Sequence, residues 1–140
     1  MSQPFKGGLE ERIDAVEEAY EFMLAYAAQG VTGDEENGPS TEIRDQLSRA
    51  ENALEGLADL FWQAVQKKKL EPAACYRSFI KVVEQDTQRS RAAIQLVLAQ
   101  RAISSQLIDN LNALIHLRAL LTDLFLIDEV LKLQRASEGE

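Results

Sequence analysis

The stretch T41-EIRDQLSRAENALEGLADLFWQAV-65 decides the fold. Its apolar residues Ile43, Leu47, Ala50, Leu54, Leu57, Phe61 and Ala64 recur in steps of four and three, a heptad rhythm held over three repeats. A residue every 3.5 positions returns to the same side of a helix, so these seven form one stripe, and a stripe of this kind is buried against other helices. Ser40 or Thr41 can accept a hydrogen bond from the free N–H groups of the first turn, and Glu42 and Asp45 place negative charge at the positive end of the dipole. Lys67, Lys68 and Lys69 suit the opposite end. One long helix is therefore expected from about 41 to the lysines, followed by a tight turn near 68–71, with Pro72 in the first turn of the next helix.

Leu9, Ile13, Val16, Tyr20, Met23 and Ala27 draw a second stripe, so a helix is expected over roughly 9–29, stopped by Gly30. The segment GVTGDEENGP, Gly30 to Pro39, has no apolar period and reads as a flexible acidic loop. From Ala73 to Glu138 there is neither Gly nor Pro, so long helices must fill this part. Two positions could divide it. EQDTQRSR, Glu84 to Arg91, interrupts the apolar pattern, and Ser104 and Ser105 could cap a new helix; the second division gives helices comparable in length with the one before. The expected architecture is all-α: a single domain over 1–140 forming an antiparallel up-down bundle of about four long helices, or three if 73–136 is one rod in a dimer.

The last helix, about 105–136, is apolar on more sides than one narrow stripe requires, with only Asp109, Asn112, His116 and Asp123 forming a wet side. This surplus points to self-association. Leu117, Leu124 and Phe125 are candidate interface residues, together with Trp62, which turns about 100° away from Phe61 on its helix.

Charge narrows the classes of partner. The formal net charge is −8. Residues 1–60 hold 14 acids and 4 bases (net −10), and residues 61–140 hold 9 acids and 11 bases (net +2). Such a balance repels nucleic acid and anionic membranes, so protein partners, including a second copy, are expected at the acidic first half. No signal peptide or membrane span is expected, because MSQPFKGG has no apolar run and charges interrupt Leu111–Leu133. With one Cys and one His, the chain can build neither a disulfide framework nor a structural zinc site, which fits a reducing, cytoplasmic setting without cofactors.

One pattern carries possible chemistry. EEAYE, with Glu17, Glu18 and Glu21, followed by EIRD, with Glu42 and Asp45, resembles the EExxE plus ExxD pattern of the all-α nucleoside triphosphate pyrophosphohydrolases. The resemblance implies that these five carboxylates hold Mg²⁺ against substrate phosphates, a role suited to hard oxygen ligands. Glu42 and Asp45, however, occupy a first turn where the helix dipole favours acids without any metal. His116, on a polar stripe with Asn112, resembles the exposed histidine of histidine phosphotransfer domains, but LRALL follows it in place of the Lys and small residues expected there. A di-iron site needs two Glu-x-x-His pairs, and this chain has one histidine. Cys75 lies outside any Cys-x-x-Cys arrangement and reads as a packing residue. The sequence thus favours a non-catalytic interaction, adaptor or assembly module, with the Mg²⁺-dependent pyrophosphohydrolase as the alternative.

Overall fold

The computed structural model of the chain describes residues 5–33 and 39–138. These residues form α1 (Leu9–Ala27), α2 (Pro39–Leu54), α3 (Leu57–Lys68), α4 (Ala73–Leu98), α5 (Ser105–Ala113) and α6 (Ile115–Glu138), with no strand among them. The protein is all-α, as the periodicity requires. Of the expected acidic loop, residues 34–38 lie outside the described residues.

Two of the expected long helices are each two helices. The heptad stretch breaks at Gly56, whose φ of 73° is left-handed, while Ile43, Leu47, Ala50, Leu54, Leu57 and Phe61 all remain buried. The stripe therefore locates the core correctly and hides the break, because a two-residue turn, Glu55 and Gly56, leaves both pieces facing the same interior. No atom comes within 4 Å of where a Gly56 Cβ would stand, so the left-handed backbone alone favours glycine here. The second break is at Leu114, which is extended at φ −68° and ψ 129°. Neither Gly nor Pro marks it. Its cause is tertiary: α5 packs on α1 whereas α6 packs on α4, and the chain changes partner at this residue.

Between α4 and α5 the division is where serine capping places it. Ser104 Oγ accepts a hydrogen bond from the Leu107 N–H at 3.0 Å, and EQDTQRSR continues inside α4 without interruption. The preceding turn falls where expected, with α3 ending at Lys68 and Lys69 left-handed at φ 55°, but Pro72 stands one residue before the first turn, as the extended N-cap of α4.

Arginines close the exposed helix ends. A helix leaves its last carbonyls without internal partners. Arg12 of α1 donates to the Ala53 and Glu55 carbonyls at 3.2 and 2.8 Å, closing α2 at the Gly56 break. Arg44 of α2 donates to the carbonyls of Leu98, Gln100 and Arg101 at 3.1, 2.6 and 3.0 Å, closing α4. A buried clamp joins the end of α1 to the start of α5. Tyr26 Oη donates to the Ile103 carbonyl, Ser105 Oγ donates to the Tyr26 carbonyl at 2.6 Å and accepts from the Val31 N–H at 2.8 Å. The Ser105 N–H completes it by donating to the Val31 carbonyl at 2.8 Å.

Candidate functional site

The five carboxylates of the sequence pattern are not brought together. Glu18 is held in a salt bridge by Arg49 of α2. Glu17 and Glu21, one helical turn apart, instead line a groove of about 280 Å³ between α1 and α6, with Tyr20, Arg118, Thr122 and Phe125. Glu42 and Asp45 are exposed on α2. A metal bound by these ligands would need them around one centre, and among the described residues no three His, Cys, Asp or Glu side chains are grouped so as to hold one. Partial burial pushes the Glu17 carboxyl above its usual range, and the nearby Asp14, Glu21 and Asp128 add to the shift.

The candidate interface residues of the last helix divide between core and surface. Leu117 and Leu124 are 4% and 0% exposed, so the chain's own core already covers them and they leave the interface set. Phe125 is 52% exposed, and Leu126 and Leu133, which the periodicity did not single out, are 54% and 59% exposed. Burial of a large apolar side chain is worth about 1.5 to 3 kcal/mol, so these three are a substantial unspent attraction on one helix. Leu126 also borders a second groove, of about 300 Å³, floored by Tyr76, Phe79, Ile127 and Val130 between α4 and α6. Thus α6 presents an apolar ridge with a groove on each flank. Trp62 is half-buried against the core, and the Arg77 guanidinium lies over its ring at 5.5 Å. Cys75 is exposed beside the second groove.

A polar pair that the periodicity assigned to solvent lies between α4 and α6. Asp123, expected on the wet side with Asp109, Asn112 and His116, instead lies beside the carboxyl of Asp86, which is only 9% exposed, and its buried Oδ2 has no hydrogen-bond partner. Burial, then the neighbouring carboxyl of Asp86, push the Asp123 carboxyl up to about 7. One turn along α4, Ser90 is 1% exposed and its Oγ has no hydrogen-bond partner. The signal was available in the sequence: Asp86, Thr87 and Ser90 interrupt the apolar run between Val83 and Ile94 at the spacing of the buried face. Asn112 also turns inward, its Nδ2 donating to the Met23 carbonyl at 3.3 Å.

No protein-family model matches the chain, and neither a curated protein nor a solved structure matches it. None of the described helices is long and apolar enough to cross a membrane.

Proposed function

We propose that the protein is a non-catalytic helical-bundle module for protein–protein contact and assembly, working as a homo-oligomer, with α6 as its contact element. In this reading α2–α3 and α5–α6 each take the place of one helix in an up-down bundle of four, and the protein acts in the reducing cytoplasm without a cofactor. The observation that carries the proposal is the exposed ridge of Phe125, Leu126 and Leu133 on a helix whose opposite side, with Leu117, Leu120, Leu124 and Ile127, is already buried. Leu96, Leu24 and Val82 are exposed singly on other helices, whereas three large apolar side chains gathered on one face of α6 form a patch of the kind that marks contact sites. That no three of Glu17, Glu18, Glu21, Glu42 and Asp45 are grouped so as to hold a metal ion supports this reading over the Mg²⁺-dependent pyrophosphohydrolase.

Assembly links stability to concentration. The melting temperature is expected to rise with protein concentration for the wild type and to be flat for Leu126→Glu, with MgCl₂ acting no differently from NaCl of matched ionic strength. A concentration-independent wild type, together with a Mg²⁺-specific shift lost in Glu18→Gln, would reverse the assignment in favour of the enzyme.

A further inference from the structure

At 100° per residue, Arg118, Thr122, Phe125, Leu126, Glu129 and Leu133 of α6 fall within about 100° of arc, and all six are exposed. They are the ridge between the two grooves. Its two charges are of opposite sign and sit on either side of the apolar centre, and neither Arg118 nor Glu129 forms a salt bridge among the described residues. A two-fold interface must be self-complementary: where residue i meets residue j of the partner, j must meet i.

We infer that the occupant of this ridge is a second copy of the chain, its α6 antiparallel to the first about a two-fold axis between Asp123 and Leu124. This rests on the assembly reading above and adds the register. Residues 118 and 129 are equidistant from that axis, so both copies' arginines meet glutamates, one pair at each side of the centre. The same register sets Phe125 against Thr122 of the second copy, with Leu126 beside them, and brings Leu133 to Leu114, which is itself 42% exposed. A parallel pairing in register would instead stack Arg118 on Arg118 and Glu129 on Glu129. The flanking grooves suit this mode, because ridges of one helix pack into the grooves beside another.

The register is read by cross-linking in a Cys75→Ser background, which removes the native thiol. Thr122 of the two copies would stand about 4.5 Å apart along the helix axis, and Leu133 of the two copies about 28 Å apart, at 1.5 Å per residue. Mild oxidation with diamide is expected to give a covalent dimer with Thr122→Cys and none with Leu133→Cys. In a second arm, Arg118→Glu and Glu129→Arg are each expected to weaken the dimer about tenfold, and the double variant to restore it. A wild type that light scattering finds monomeric overturns the assembly reading itself. A wild-type dimer that cross-links equally at both positions, or that is indifferent to the charge reversals, leaves assembly standing and overturns the register, placing another face or another partner on the ridge.

Discussion

Asp123 of α6 lies beside Asp86 of α4 within the contact between the two longest helices, its buried Oδ2 without a hydrogen-bond partner. Burial, with the neighbouring Asp86 carboxyl adding to it, disfavours the ionised form of Asp123 and pushes its carboxyl from 3.8 up to about 7.

Between those two values the folded chain holds a proton that the unfolded chain has released, so this pair's contribution to stability falls as pH rises from about 4 to about 7 and then levels. Asp123→Asn removes the titration. The gain in melting temperature of Asp123→Asn over wild type is expected to widen from about pH 5 to about pH 8. A difference that is constant over this range would mean that Asp123 ionises as freely in the folded chain as in the unfolded one.

Two glycines with left-handed backbones separate strain from crowding. Gly56→Ala faces open space and should cost about 1 to 2 kcal/mol, the penalty of a left-handed L-residue. Gly33 has φ 88°, and a Cβ there would lie 3.0 Å from the Ile103 carbonyl carbon, so Gly33→Ala should cost distinctly more. Urea midpoints ordered the other way would contradict the close approach of the Gly33 turn to Ile103.

At the clamp between α1 and α5, Ser105 is 4% exposed and its hydroxyl serves both the Val31 N–H and the Tyr26 carbonyl. Ser105→Ala strips both, and a loss of about 1 to 3 kcal/mol is expected. Hydrogen exchange should locate the effect at Val31, whose amide loses protection. An unchanged Val31 amide would show that the clamp does not hold in solution.

These positions show what could be read from the residues. Ile43, Leu47, Leu54 and Phe61 disclosed the core because burial follows a period, and Ser104 disclosed a helix start because its hydroxyl acts on the backbone next to it. Gly56 was a weaker sign, since a glycine can also sit inside a helix at a cost of about 1 kcal/mol. Leu114 left no sign, because its break is imposed by α1 and α4, which lie far from it in sequence. On the surface, Phe125 could be recognised from the surplus of apolar residues, whereas Leu117 and Leu124 equally fitted that surplus and are core. Asp123 was misplaced because polarity was equated with solvent, and Asp86, the residue that accounts for its burial, lies on a different helix.

The ridge on α6 is, in this proposal, covered by a second copy of the chain. Light scattering of the wild type and of Phe125→Glu across the micromolar range tests it most directly. The wild-type mass is expected to approach twice 15.7 kDa as concentration rises, and the Phe125→Glu mass to stay at 15.7 kDa with the helical circular dichroism unchanged. A wild type that remains at 15.7 kDa at the highest concentration would contradict it.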